Sequence, residues 1–270
     1  MTGELITSSA NPVVKRVRLL ADRGHRRTEG AFVVHGIQPV WQAVEAGADV
    51  EILIVAPGLL GRSAAASRVT AMVAGQEARG VRVARLSDEV FTRISDRDGP
   101  SGLAAIVHGH LAGLDRLAAG PDAVFVALHG IGNPGNLGTI IRTANAAGAA
   151  GVVLVGQTTD PFDPAAVKAS MGAMFTLPVV HAEAPASFFS WAAASGVTVV
   201  TTSARAEQSF WDASYPRPLA LLFGAEGTGL PGEVLARGDL QVHIPMAGTA
   251  ESLNLAVAAA LLLYEVQRRG

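Results

Sequence analysis

Short apolar runs, most of them bounded by glycine or proline, alternate with stretches of helical periodicity along this sequence of 270 residues. A short run without polar interruption reads as a strand buried on both faces. Strands that alternate with helices pair in parallel, with helices covering the sheet. An α/β fold with a parallel sheet is therefore expected. In the first part of the chain a helix is expected over residues 11–24. Asn11 caps it, Pro12 lies in its first turn, and Val13, Val17 and Leu20 share one face. Residues 25–30 read as a turn. Strands at 31–36, 50–57, 81–86 and 102–109 alternate with helices at 37–47, 64–80 and 88–95, the last capped by Ser87. This gives a small α/β domain over 1–109, a linker at 110–122, and a second domain over 123–270. Strands in the second domain are expected at 123–129, 151–156, 197–202, 218–223 and 240–245. The closing stretch, 251–269, reads as a helix that is apolar nearly all round until Glu265. A helix without a polar face needs cover on most sides, from the core or from a subunit interface.

Composition narrows the function. No cysteine is present, which excludes disulfides, thiolate nucleophiles and cysteine-held zinc. No metal is expected. The N-terminus has no apolar core of the signal-peptide kind, and no apolar stretch reaches the roughly 18 residues of a membrane span. A cytoplasmic protein without membrane contact is the expectation. The formal charge is −2, but residues 1–30 carry +3 and the remainder −5. Lys15, Arg16, Arg18, Arg26 and Arg27 make this segment a candidate contact for a polyanion; a solvated helix face is the plainer account.

The stretch "HGIGNPGNLGTIIRTANAAGA", residues 129–149, contains a literal G-x-G-x-x-G at Gly130, Gly132 and Gly135. A dinucleotide fold also needs an acid at the end of the next strand to hold the ribose hydroxyls. That strand ends at Gly156-Gln157 without one, Asp160 comes too late, and Pro134 interrupts the turn. The pattern fails its context, and a nucleotide-dependent oxidoreductase is disfavoured.

The polar residues of the same stretch are more informative. Asn136 is read at the helix start. Arg142 follows within a run of small and apolar residues, where a buried guanidinium would need a carboxylate partner or an anionic ligand. Two later stretches have the same character. "LALLFGAEGTGLP" sets Glu226 among glycines after an apolar strand. "VHIPMAGTAESLNLAVAAA" places Ser252 and Asn254 at the start of the last helix, where backbone N–H groups lack partners. Ligands of α/β sheets bind at the carboxyl ends of strands, and all three loops follow strands.

In order and spacing, "NPGNLGTIIRTANAAGA", "LLFGAEGTGL" and "IPMAGTAESLNLAVAAALLLYE" resemble the three motifs of the SpoU (TrmH-like) RNA 2′-O-methyltransferases of the SPOUT superfamily. "ITSSANPVVKRVRLLADRGHRRTEGAFVVHG" resembles the substrate-binding domain of the ribosomal RNA-modifying members. The resemblance implies a C-terminal domain with a deep trefoil knot and a smaller N-terminal L30e-like domain that binds RNA. It also implies a homodimer formed through the C-terminal domain, with S-adenosyl-L-methionine as cofactor. Carried over residue by residue, the catalytic set is Asn136, Arg142, Glu226, Ser252 and Asn254. The cofactor would lie against Thr202, Gly224, Ile244, Met246, Leu253 and Asn254. Two positions depart from the family pattern: Ala225 stands where Asn or Ser is usual, and His35 where a glutamate is usual.

The implied reaction is methylation of a ribose 2′-hydroxyl, in 23S ribosomal RNA by preference, with transfer RNA as the alternative substrate. A catalytically silent RNA-binding homologue is the rival reading, and the intact catalytic set argues against it. The resemblance gives removal of the hydroxyl proton to Arg142. A guanidinium, which stays charged, equally suits stabilisation of the oxyanion and a hold on phosphate. Asn136 and Glu226 are expected to orient Arg142.

Overall fold

The computed structural model describes residues 4–95 and 99–269. The chain forms two compact units. One contains residues 1–110 together with 162–175; the other contains 111–161 and 176–270. The first unit opens with β1 (Leu5–Ile6), α1 (Pro12–Leu19) and α2 (Arg23–Glu29), followed by β2 (Ala31–His35) and α3 (Ile37–Glu45). Then come β3 (Val50–Val55), α4 (Pro57–Leu60), α5 (Ala66–Ala78), β4 (Arg82–Leu86), α6 (Asp88–Ile94) and β5 (Leu103–His108). The second unit begins with β6 (Val124–His129), α7 (Pro134–Ala146) and β7 (Gly151–Val155). The chain then leaves it to add α8 (Pro164–Ser170) to the first unit. It returns through β8 (Val179–Ala182), α9 (Pro185–Ala194), β9 (Thr198–Thr202), β10 (Gln208–Ser209), β11 (Leu219–Phe223), α10 (Gly232–Leu235), β12 (Leu240–His243) and α11 (Leu255–Arg269).

The first sheet runs β1-β4-β3-β5-β2, with β5 antiparallel to both its neighbours. Period-two alternation assigns its side chains to opposite faces. Ala31, Val33, Ile52, Ile54, Ala104 and Ile106 meet Val13, Val17 and Phe91 of α1 and α6. Phe32, Val34, Leu53, Val55 and Val107 meet Val40, Val69 and Val167 of α3, α5 and α8. The 162–175 excursion, which the sequence assigned to the second domain, is thus part of this core. Phe162 stacks on Phe32 with centroids 4.6 Å apart. Gly172 lies so close to α3 that a Cβ on it would meet Gln42 Cβ at 2.6 Å.

Residues 25–30 are not a simple turn. The first helix stops at Leu19 with Leu20 as its cap, and α2 starts afresh because the Asp22 carboxylate accepts the His25 N–H at 3.1 Å. Gly30, left-handed at φ 59°, ends it. Arg26 projects inward and is 4% exposed. Its guanidinium donates to the carbonyls of Leu20 (3.1 Å) and Ala21 (2.7 Å) and lies 3.6 Å from Asp163. Arg26 therefore closes the end of α1 and is not part of an RNA-facing surface. Arg16 is also engaged, 2.8 Å from both Glu29 and Glu51. Lys15, Arg18 and Arg27 are exposed.

The second sheet is parallel throughout, in the order β10-β12-β9-β11-β6-β7-β8. Every residue of β7 and β11 is buried, as strands covered on both faces require. Phe188, Phe189 and Val234 of α9 and α10 cover one face. On the other, α11 packs against α7 and β11. Strands β8 and β10 were not expected; each is short and lies at an edge of the sheet. The last helix starts at Leu255, later than expected, because Asn254 rather than Ser252 caps it: its Oδ1 accepts the N–H of Ala256 at 2.9 Å. Near its end Glu265 is buried, and hydrogen bonds from Arg268 and then Arg269 outweigh the cost of burial, holding its carboxyl at about 2. Among the described residues no helix is long and apolar enough to cross a membrane.

Two outcomes follow from this packing. Phe162→Ala lowers the stability of the first unit by about 2 kcal/mol in urea denaturation, since it removes a ring stacked on the core. Glu265 has a folded pKa below its unfolded one. Its contribution is complete above the ordinary glutamate value of 4.5 and is lost as pH falls toward about 2. Thermal melts across that window therefore show a steeper acid loss for the parent than for Glu265→Gln.

Candidate active site

Strands β12, β9, β11 and β6 are consecutive neighbours in the second sheet, so the loops after them emerge side by side at one edge. Parallel pairing brings their carboxyl ends level: Phe223 pairs with Leu128, and Thr202 with Val242. This edge receives the residues that the sequence singled out in three separate motifs.

The link among them is Asn136. It lies in the first turn of α7 rather than at the helix start. Asn133 is the cap, its Oδ1 accepting the Asn136 N–H at 3.0 Å, and Pro134 is the first helical residue. The side-chain amide of Asn136 donates to Glu226 Oε1 at 3.1 Å and accepts from Asn254 Nδ2 at 3.1 Å. The Gly132 N–H donates to the other oxygen of Glu226 at 3.4 Å. One side chain thus ties the loops after β6, β11 and β12 together. Burial alone would raise the Glu226 pKa. The Asn136 amide and backbone N–H groups, including those of Gly132 and Asn133, prevail and hold it below the usual carboxylate value. Glu226 is therefore an anion at neutral pH and acts as a hydrogen-bond acceptor.

Arg142 stands apart from this network. Six residues along α7 set it about 120° round the helix and about 9 Å along the axis from Asn136. Its side chain is exposed and makes no hydrogen bond or ion pair among the described residues. The burial expected for it does not occur, and neither Asn136 nor Glu226 orients it: the 3.6-residue period turns it onto another face. Ser252 is exposed too, without a hydrogen bond among the described residues.

The remaining predicted positions ring the same edge. Thr202 ends β9 and donates from its hydroxyl to the Leu222 carbonyl at 3.3 Å. Ile244 is half-buried after β12, while Met246 and Leu253 are 37% and 38% exposed. Gly224 follows β11. A Cβ there would lie 2.1 Å from the Gly229 carbonyl carbon and 2.3 Å from the Leu230 nitrogen, so its own loop already forbids a side chain. Met246 and Leu253 thus leave thioether and aliphatic surface exposed at this edge. The sequence reading missed the roles of Asn133 and the Gly132 N–H. The pair Asn133-Pro134, a cap followed by proline at the first helical position, was the available signal.

Comparison with known proteins agrees with this geometry. Residues 123–264 match the SpoU rRNA Methylase family, and residues 11–105 match the MRM3-like substrate binding domain. The chain is 33% identical to the 23S rRNA (uridine(2479)-2′-O)-methyltransferase of Streptomyces viridochromogenes, covering 93% of this chain and 87% of that protein. It is 29% identical to the 23S rRNA (guanosine(2553)-2′-O)-methyltransferase RlmP of Bacillus subtilis, covering 97% and 98%. Among solved structures it superposes on the AdoMet-bound rRNA methyltransferase of Sinorhizobium meliloti with a TM-score of 0.88 at 35% identity, covering 98% of this chain and 97% of that one. With its three loops drawn together by Asn136 at the carboxyl edge of a parallel sheet, the chain belongs to the SpoU rRNA methylase family.

Proposed function

We propose that this protein is an RNA 2′-O-methyltransferase that uses S-adenosyl-L-methionine and acts on a ribose of 23S ribosomal RNA. The observation that carries the reading is the Glu226–Asn136–Asn254 network, which fixes three loops at one strand edge while the Arg142 guanidinium stays uncommitted. Thr202, Gly224, Ile244, Met246 and Leu253 would hold the cofactor, with the exposed Met246 and Leu253 against its apolar parts. When bound, the cofactor supplies an electrophilic methyl carbon on a sulfonium.

The chain's own residues then position the acceptor. Arg142 holds an RNA phosphate and stabilises the 2′-oxygen as its proton passes to solvent water. Glu226, kept anionic, fixes the Asn136 amide, and Asn136 in turn fixes Asn254. Ser252 and Asn254 border the ribose. Catalysis is chiefly alignment of donor and acceptor. The finer architecture proposed is a trefoil knot in the second unit and an L30e-like RNA-binding first unit. Lys15, Arg18 and Arg27 would meet the RNA backbone.

The same reading includes a homodimer formed through α11. Val257, Leu261 and Tyr264 recur at one helical face and are 47%, 41% and 55% exposed, an apolar stripe that a second copy would cover.

Methyl transfer from labelled cofactor to unmodified total RNA tests the function. Label is expected in 23S ribosomal RNA at an alkali-resistant ribose. Label confined to transfer RNA overturns the substrate, and no label in either overturns the activity. Arg142→Ala lowers kcat by about 100-fold or more and leaves cofactor affinity unchanged in calorimetry. In size-exclusion chromatography with light scattering, Leu261→Arg shifts the mass from two copies to one, since it would bury an unpaired charge.

A further inference from the structure

Strand β10 is the outermost strand of the second sheet on the side of β12, and the two pair in parallel with Ser209 level with His243. The chain leaving β10 therefore emerges at the carboxyl edge that carries the catalytic loops, with β10 one strand spacing, about 5 Å, from β12. Two residues beyond Ser209 stands Trp211, 55% exposed. The other exposed large apolar side chains of this unit are Met246 and Leu253, at cofactor positions, and Val257, Leu261 and Tyr264 on α11. Trp211 belongs to neither group. Its segment is anchored. The Phe210 N–H donates to the His243 carbonyl at 2.9 Å, and the Phe210 ring is buried with its centroid 5.2 Å from that of the indole. The Ser209 hydroxyl accepts the Trp211 N–H at 3.2 Å, and the Tyr215 hydroxyl donates to the Phe210 carbonyl at 2.7 Å. Arg269 of α11 donates to the Ala213 carbonyl at 3.3 Å. A large ring already held still loses little freedom when a flat partner covers it.

The charges beside the ring narrow the choice of partner. Glu207 and Asp212 are exposed, lie within four residues of Trp211 and form no ion pair among the described residues. Carboxylates repel phosphate and accept hydrogen bonds from N–H groups. This part of the edge is thus unsuited to the RNA backbone and suited to a base whose pairing edge carries donors. Guanine offers N1–H and N2–H side by side, a match for the two oxygens of one carboxylate, and its fused rings cover an indole. Proteins read RNA chiefly at unpaired positions, where a base can leave the stack for an aromatic side chain. Resting on the reading of this chain as an RNA methyltransferase, we propose that Trp211 is the stacking platform for an unpaired guanine of the RNA substrate, with Asp212 as the acceptor at its pairing edge. This guanine is a neighbour of the methylated nucleotide. Ser252 and Asn254, which border the reacting ribose, belong to the loop after β12, one strand nearer the centre of the sheet.

Two measurements test this, one of them independent of turnover. Guanosine monophosphate is expected to quench the tryptophan fluorescence of the parent at lower concentration than adenosine monophosphate does. Trp211→Phe loses that quenching, since only Trp41 and Trp191 remain to emit, and Asp212→Asn loses the preference for guanosine. In the methylation assay Trp211→Ala raises the KM for ribosomal RNA about tenfold, the effect of one stacked base, with kcat and cofactor affinity unchanged. Its salt dependence stays that of the parent, because no phosphate contact is lost. Trp211→Phe, which keeps a ring, restores a KM near the parent's. Equal quenching by the two nucleotides overturns the proposal. So does guanosine-selective quenching with a parent-like KM for Trp211→Ala, which would place a free nucleotide on the ring. A halved mass for Trp211→Ala in light scattering also overturns it, by showing that a second copy covers the indole. Guanosine-selective quenching in a parent that methylates no RNA upholds the stacking site and removes the functional reading instead.

Discussion

The amide of Asn136 has one donor arm and one acceptor arm that cannot be exchanged without loss, and both are used. The donor meets a carboxylate on the loop after β11, and the acceptor meets an amide at the head of α11. An aspartate at this position would set two carboxylates against each other, and a leucine would leave the partners unpaired. The network also fixes where α11 begins, because the asparagine that bonds to Asn136 is the cap of that helix. Through one side chain the shape of the strand edge and the course of the C-terminal helix become a single problem. The sheet beneath makes this possible, since only adjacent parallel strands deliver their loops to the same place.

Charge in the first unit divides into two populations that composition does not separate. Arg16 and Arg26 are internal fasteners, one between two glutamates and the other on the open carbonyls of α1. Lys15, Arg18 and Arg27 lie within a few residues of them in the sequence yet face solvent. A run of basic residues therefore overstates the surface available to a polyanion. What distinguishes the two sets is whether unpaired carbonyls or carboxylates lie within reach of the guanidinium, a property of the fold.

The legible features were those with local causes. Buried strands such as Val124–His129 announce themselves as apolar runs, and Asn11 and Ser87 were recognisable as caps because their bonds span two or three residues. The three motifs were recognisable by resemblance, and the structure gathers their loops at one edge. The bonds that unite them were not legible, because Asn136 meets partners 90 and 118 residues away. The orientation of Arg142 is illegible for another reason: small and apolar neighbours in sequence are not its neighbours in space, because the helix turns Arg142 outward. The second helix over Arg23–Glu29 escaped notice because polar residues with a single inward arginine carry no apolar period.

The excursion at 162–175 bears on how such proteins diversify. The core of the first unit is completed by Phe162 and Val167, which the chain supplies only after it has built two strands of the second sheet. The first unit is consequently not a detachable cassette at the N-terminus. A lineage that acquired a new targeting module by recombination near residue 110 would inherit a mismatched plug for its sheet. A change in the core face of β2 therefore calls for a matching change at Phe162 or Val167, more than a hundred residues later in the chain.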